Sequence, residues 1–264
     1  MARRIVITSG KGGVGKTTVT ANIGIFLAKR GHKTLLIDGD VGLNNLDVVL
    51  GIENKAVYDM ADVLEGKCRI SQALIPYDES GMLMIMPSAH AYNSEDIGSK
   101  NFRNLVGRLD SHFDYIVIDC PAGIEGGFHR AVSAANEAVV VTTPQVSSIR
   151  DADKVIALLS SYELNSVSVI VNRIRGDLVI DGEMMDVGEV AKLLKITPIG
   201  AIPEDDYIGI YSQLGRLGEQ SGESKDSFSL IVSNIVNGKR RIYDCTSKYR
   251  GLLGKIRLKL KRNA

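Results

Sequence analysis

Nine residues, Gly10-Lys-Gly-Gly-Val-Gly-Lys-Thr-Thr18, follow directly on the apolar run Ile5-Val6-Ile7. They satisfy the pattern G-x-x-x-x-G-K-[ST] at the place the pattern demands, between a predicted strand and a predicted helix. Few folds deliver a strand into a helix through such a turn, so this stretch constrains the rest of the chain. Without side chains at Gly12, Gly13 and Gly15, the backbone can take left-handed turns and bring several N–H groups close to a phosphate chain. Lys16 is placed to reach the outer phosphates and the Thr17 hydroxyl to ligate Mg²⁺. The helix that begins near Thr17 aims its positive end at the same phosphates. The binding loop is therefore Gly10, Lys11, Gly12, Gly13, Val14, Gly15, Lys16, Thr17 and Thr18. Lys11 occupies a position the general pattern leaves free, where a lysine is ordinarily a solvated surface charge.

The 264 residues, 44% of them hydrophobic, suffice for one sizeable α/β domain with a buried sheet. A net charge of +1 argues against a broad nucleic-acid-binding surface while leaving local patches open. Cys68, Cys120 and Cys245 are far apart and odd in number, which suggests a reducing compartment and no disulfide framework. Met1-Ala-Arg-Arg4 leads into the first strand without a signal-like apolar stretch, and no run of about eighteen apolar residues occurs that could span a membrane.

Apolar runs predict buried strands at 34–38, 83–86, 115–119, 138–142, 167–171 and 199–202, and helical spacing predicts helices at 17–30, 58–64, 101–109, 147–162, 185–194 and 224–236. The alternation implies a mostly parallel sheet with helices on both faces. Its strands end in polar residues on the edge where open parallel sheets bind ligands. Asp38-Gly-Asp-Val-Gly-Leu-Asn-Asn-Leu-Asp47 is one such exit, and it aims Asp38 and Asp40 toward the phosphates. Tyr115-Ile-Val-Ile-Asp119 is another: an apolar strand closing on a carboxylate, paired with a phosphate loop, is a Walker B arrangement that holds Mg²⁺, often through water. Asn172-Arg173 and Pro203-Glu-Asp205 lie at two further exits. Gly123, Gly126 and Gly127 read equally as a segment that moves with a γ-phosphate and as plain turn glycines. Arg150, Asp151, Asp153 and Lys154 read as a solvated helix face.

Residues 1–238 form one domain on this reading, and 239–248, polar and basic, a linker. In the tail at 249–264, Tyr249, Leu252, Leu253, Ile256 and Leu260 fall within about 100° of a helical wheel. Arg250, Lys255, Arg257, Lys259, Lys261 and Arg262 fill the remainder, and no acidic residue occurs from Lys248 onward. That composition suits a C-terminal amphipathic helix lying on anionic lipid through residues 249–262, and two such tails bind far better than one. Leu258 on the polar side and the helix-weakening Gly251 and Gly254 suggest a helix formed on the lipid. A disordered basic tail or a nucleic-acid contact is the alternative.

The loop resembles the deviant Walker A motif of the MinD/ParA family of P-loop ATPases, which also holds the nitrogenase iron protein and the arsenite-pump ATPase. Further matching stretches extend over nearly the whole chain and resemble the septum-positioning branch: Asp38 to Asp47 as quoted, Gln72-Ala-Leu-Ile75, Ile118-Asp-Cys-Pro-Ala-Gly-Ile-Glu125, Ser147-Ser-Ile-Arg-Asp-Ala-Asp153, Ile202-Pro-Glu-Asp205 and the basic tail. The resemblance implies a single α/β P-loop NTPase domain that binds ATP with Mg²⁺, pairs as a homodimer with ATP and sits peripherally on the cytoplasmic face of the membrane, or on the stromal side of a plastid envelope. It also implies recruitment of a MinC-like division inhibitor and release through hydrolysis stimulated by a MinE-like activator. Carried over by residue, Lys11 crosses the dimer to the second nucleotide, and Lys11, Lys16 and Asp40 form the catalytic set, Asp40 positioning the attacking water. Thr17, Asp40 and Asp119 serve the metal. Asn172, with Arg173 beside it, reads the adenine edge, and the backbone at Pro203 and Glu204 surrounds the base. Residues 147–153 lie near the partner surface. Asn44 where the family commonly has Arg, Gln145 where it has Glu, and a 213–219 stretch without Asn-Arg-Gly-Glu-Pro depart from the pattern at partner contacts and the adenine-side loop. The rival readings are a ParA-like DNA- or cargo-segregating ATPase, a redox protein whose shared cluster would use Cys120, and a scaffold with an inactive nucleotide site.

Overall fold

Ile5-Val6-Ile7, Leu35-Leu36-Ile37, Ile116-Val117-Ile118 and Val139-Val140-Val141 are all 3% exposed or less, as strands covered on both faces must be. In the computed structural model, which describes residues 1–41, 45–88, 97–219, 221–251 and 254, these runs form the middle of an eight-stranded sheet. Its strands are β1 (Arg3–Thr8), β2 (Thr34–Asp38), β3 (Ile75–Pro76), β4 (Leu83–Met86), β5 (Tyr115–Asp119), β6 (Glu137–Thr142), β7 (Ser166–Ile174) and β8 (Thr197–Pro203). They lie in the order β3-β4-β2-β5-β1-β6-β7-β8, all parallel except β3, which pairs antiparallel with β4. The helices are α1 (Lys16–Ala28), α2 (Leu46–Leu50), α3 (Met60–Leu64), α4 (Ile70–Ala73), α5 (Ser99–Gly107), α6 (Gly126–Ser133), α7 (Val146–Leu159), α8 (Gly176–Ile180), α9 (Val187–Leu194), α10 (Asp206–Gln213) and α11 (Glu223–Asn237).

Alternate side chains of each strand point to opposite faces, and two cores result. On one face Val6, Leu35, Ile116 and Ile118 meet Phe102 of α5, Phe128 of α6, Val155 of α7 and Val190 of α9. On the other, Ile5, Ile7, Leu36 and Val117 meet Ile23 of α1 and Ile231 of α11. This is the expected single α/β domain, with helices covering both faces. Among the described residues no helix is long and apolar enough to cross a membrane.

Strands expected at 34–38, 83–86 and 115–119 have those bounds, and β7 runs three residues beyond the expected 171. The glycines at 126 and 127, read as mobile or turn residues, begin α6, which is held down by Phe128, Ala131 and Val132. The segment 239–248 differs from the expected linker because it is packed against the body. The Asn234 amide donates to the carbonyls of Ile199 at 2.9 Å and Arg241 at 2.8 Å, and its oxygen accepts the Arg241 N–H at 3.1 Å. Ile242 and Tyr243 pack on the core. The Gly176 backbone lies so close to Cys245 that a Cβ would stand 1.9 Å from the Cys245 carbonyl oxygen. Lys248 pairs with Glu223, and Tyr249, the first apolar position assigned to the tail, is buried. Leu252, Leu253, Ile256 and Leu260 lie outside the described residues, as does Asn44.

Replacing Asn234 by Ala removes three hydrogen bonds, each worth about 1 kcal/mol net. Urea unfolding is expected to show a loss of about 2–3 kcal/mol, and trypsin to cleave faster after the exposed Lys239 and Arg240. Unchanged proteolysis would mean that this clasp does not hold the segment.

Candidate nucleotide-binding site

The phosphate loop is shaped by its own short-range contacts. The Ser9 hydroxyl donates to the Lys11 carbonyl at 3.0 Å, and Gly13 and Gly15 have φ of 78° and 90°, a left-handed backbone that favours glycine. Gly15 is also the N-cap of α1, accepting the Val19 N–H at 2.9 Å. The loop is buttressed from behind: the buried Asn172 amide donates to the Val14 carbonyl at 2.8 Å, and a Cβ on Gly15 would stand 2.5 Å from that amide nitrogen. The Asn172 oxygen accepts the N–H of Arg173 at 2.9 Å, which holds Arg173 at φ 60°, an uncommon conformation for a side-chain-bearing residue.

At the root of the loop Lys16 is 8% exposed, and its Nζ lies 2.9 Å from Asp119 Oδ1. Thr17 Oγ1 donates to Asp119 Oδ2 at 2.7 Å, and Thr20 Oγ1 to Asp119 Oδ1 at 2.9 Å. Burial works against the Lys16 ammonium, but the adjacent Asp119 charge and hydrogen bond outweigh it and raise its pKa. One hydroxyl and two carboxylates, Thr17, Asp119 and Asp40, make a hard oxygen set of the kind Mg²⁺ takes together with substrate phosphates, so the residues present fit the metal.

Asp38 is opposite Asp119 in the strand register, yet its carboxylate serves its own loop. Oδ1 accepts the Asp40 N–H at 2.9 Å, and Oδ2 accepts the N–H groups of Asn45 and Leu46 at 3.2 Å each. The expectation that both aspartates aim at the phosphates is thus corrected: Asp38 folds the loop and Asp40 lines a cavity of about 730 Å³ with Pro121, Gly126 and Arg130. Burial, then the Asp119 charge, pushes Asp38 up to about 7. Burial also raises Asp40, opposed by Lys16 and Arg130. A second cavity, of about 630 Å³, is lined by Lys11, Gly12, Gly13, Val14, Gln145, Arg173 and Glu204. The structure therefore gathers Lys16 and Thr17 on Asp119, while Asp40 lines one cavity and Lys11 another. Pro203 ends β8 in the core. Cys120 is fully buried, its thiol pushed up to about 12 by burial, while Cys245 packs under Gly176, so the cysteines are not gathered at the loop.

Sequence reasoning missed Thr20, legible in principle as the residue one turn beyond Lys16 and Thr17 on the same helix face. It also missed Arg130, and Arg175, which lines the Lys11 cavity and pairs with Asp177 at 2.6 Å.

Comparison with known proteins decides the family. An AAA-domain family model matches residues 2–169. The septum site-determining protein MinD of Bacillus subtilis is 46% identical over 97% of this chain and 97% of its own length. The MinD chain of the Aquifex aeolicus MinC:MinD cell division complex is 43% identical with a TM-score of 0.82, covering 90% of this chain and 97% of that one. The chain belongs to the MinD/ParA family of P-loop ATPases. MinD from Pyrococcus horikoshii complexed with Mg-ADP is 29% identical with a TM-score of 0.79, over 90% of this chain and 97% of that one. These relatives put the chain among the nucleotide-binding, septum site-determining proteins of cell division.

The Asp38 position carries a sign. Its folded pKa of about 7 lies above the unfolded carboxylate value of about 3.9. The folded state therefore binds the extra proton, and its stability falls as pH rises through that window, levelling above about 7. In the nucleotide-free, metal-free chain the melting temperature is expected to fall between pH 5 and 7 more steeply than in Asp38→Asn. Equal slopes would remove Asp38 as the cause.

Proposed function

We propose that this chain is an ATP-driven, dimerising membrane switch that positions the division septum. The observation that carries the reading is the contrast between the two loop lysines: Lys16 is buried against Asp119, whereas Lys11 is exposed and lines an open cavity. A lysine placed there is free to serve a nucleotide held by a second copy of the chain.

On this reading Lys16 neutralises charge on the transferring phosphoryl group and the Thr17 hydroxyl, with Asp119 behind it, holds Mg²⁺. The metal, when bound, offsets negative charge on the β- and γ-phosphate oxygens. Lys11 from the second copy adds a further positive charge, and Asp40 orients the attacking water. Asp40 need not be a strong base, since the transition state is loose. Arg173 and Glu204, which line the Lys11 cavity, would bound the adenine there, with Asn172 and the Pro203 backbone as their neighbours in the chain. Among the described residues Asn172 spends one amide hydrogen on Val14 and one lone pair on Arg173, and an amide side chain carries a second of each for the base edge.

ATP favours pairing, and pairing doubles the tails at 249–262 available to anionic lipid, where each basic residue contributes on the order of 1 kcal/mol. Hydrolysis, stimulated by a MinE-like activator, would return the chain to the cytoplasm. The Aquifex aeolicus MinC:MinD complex supports a MinC-like partner, and the first turns of α7, with exposed Val146 and Arg150, would be its surface on this reading.

Sedimentation with phosphatidylglycerol-containing liposomes tests the switch. Because Tyr249 is buried in the body, the tail-free comparison should end at Arg250. The full chain is expected to pellet in ATP and far less in ADP, and the truncated chain in neither. ATP-dependent, salt-sensitive pelleting with DNA instead would move the reading to a ParA-like ATPase. Separately, Asp40→Ala is expected to lower ATP turnover about a hundredfold while leaving ATP-dependent pelleting in place; parental turnover would remove Asp40 from its role.

A further inference from the structure

A second buried cation lies near the site and belongs to none of its motifs. Arg130, on α6, is 3% exposed, and its side chain lines the cavity that holds Asp40. Its Nη2 donates to the Gly39 carbonyl at 3.2 Å and its Nη1 to the Ile97 carbonyl at 3.4 Å. Arginines are almost never fully buried unless their donors are engaged, and burial alone would lower the pKa of this one. The planar fork suits the task of joining two acceptors that come from separate segments.

One of those acceptors belongs to the residue directly before Asp40. The Gly39 N–H donates to the Asp119 carbonyl at 2.9 Å, its carbonyl is taken by Arg130, and the next N–H, that of Asp40, goes to Asp38 Oδ1 at 2.9 Å. The direction in which the Asp40 side chain leaves the backbone is thus set from β5, from β2 and from α6 together. Lys16 and Arg130 both favour the Asp40 carboxylate against its burial.

The helix that supplies Arg130 begins just beyond the turn following Asp119. At Gly127 in its first turn, a Cβ would stand 2.6 Å from Pro121 Cγ and 3.5 Å from Arg130 Nη2. The turn, the start of α6 and the guanidinium therefore pack closely around Gly127. We propose that Arg130 is a positioning residue for hydrolysis: through the Gly39 carbonyl it sets Asp40 toward the attacking water, and through α6 it ties that setting to the 121–127 turn. The proposal rests on the reading of Asp40 given above. The Lys11 cavity is lined by a different set of residues, so the effect belongs to the chemical step and not to nucleotide affinity.

The test is steady-state hydrolysis of Mg-ATP by the full chain and by Arg130→Met, Arg130→Lys and Asp40→Ala, with melting curves and binding of a fluorescent ATP analogue for each. Methionine keeps length and removes the fork. Lysine keeps the charge but reaches one carbonyl in place of two. Arg130→Met is expected to lower kcat at least tenfold with KM and analogue affinity within twofold of the parent, and Arg130→Lys to fall between the two. Parental kcat in a folded Arg130→Met, or kcat and affinity falling together, overturns the proposal. Should Arg130→Met melt below the assay temperature, Arg130→Lys decides: a threefold or greater loss in kcat at unchanged KM supports positioning, and parental kcat overturns it. Asp40→Ala separates the two readings. If it hydrolyses ATP normally, the role of Asp40 falls and the proposal with it; if it is inactive while Arg130→Met keeps parental kcat, the proposal falls alone.

Discussion

The Asp119 carboxylate accepts hydrogen bonds from Lys16, Thr17 and Thr20, and its own carbonyl accepts the N–H of Gly39. One residue at the end of β5 therefore fixes the start of α1, the exit of β2 and, by register, the neighbouring Asp38. A buried ion pair is costly to assemble, and breaking one by removing a single partner costs roughly 3–5 kcal/mol. What offsets the cost here is complete engagement: two hydroxyls and an ammonium share the two carboxylate oxygens. The arrangement also keeps Lys16 and Thr17 at the C-terminal edge of the sheet, where Asp40 lines one cavity and the loop another. The chemistry of the site follows from how that one carboxylate is surrounded.

Much of this frame was legible in the residues because central parallel strands are covered on both faces and must be uninterrupted apolar runs. Leu35-Leu36-Ile37 and Ile116-Val117-Ile118 could hardly be anything else. The short elements were not legible for an equally physical reason. α2, α4 and α8 span four or five residues, little more than one helical turn, and carry no period to detect. At the site, loop glycines, lysines and strand-end carboxylates announced themselves by spacing, but spacing cannot say which of two carboxylates faces the ligand. Asp38 and Asp40 differ in that Asp38 has backbone N–H groups folded onto it from three residues, and that depends on how the chain after it turns. Arg130 gave no signal, because a single arginine at a helical position is ordinarily a solvated one. The tertiary approach of Gly39 and Ile97 is what brings acceptors to its fork.

The C-terminal segment shows composition misleading in a particular way. Residues 239–248 are polar and basic enough to read as a linker, yet Ile242, Tyr243 and Cys245 are sufficient to pack them down once Asn234 has captured the backbone of Arg241. Tyr243 reinforces the segment by donating to Glu223 at 3.2 Å, and Glu223 also holds Lys248. Burial raises the Tyr243 pKa, followed by the nearby Glu223 charge, which keeps the phenol a donor. A handful of contacts thus extends the packed body from residue 238 to Tyr249.

That extension changes what a membrane anchor rooted at Tyr249 could report. A tail on a free linker would sample many positions whatever the nucleotide site did, and two copies would gain only effective concentration from pairing. Here the segment before the tail lies against Gly176, so tightly that no Cβ would fit, and the 3₁₀ turn Ser247–Tyr249 packs beside α8. α8 itself follows Arg173 and Arg175, both of which line the Lys11 cavity. The root of the tail is therefore held to the same short segment that borders the Lys11 cavity. In a dimer made across that cavity, the two roots would be fixed relative to each other as well as to the nucleotides, so that both anchors could meet one lipid surface at once. On the proposed reading the packed 239–248 segment would add to avidity by removing conformations in which only one tail reaches the membrane, a gain in preorganisation that needs no additional contact with lipid.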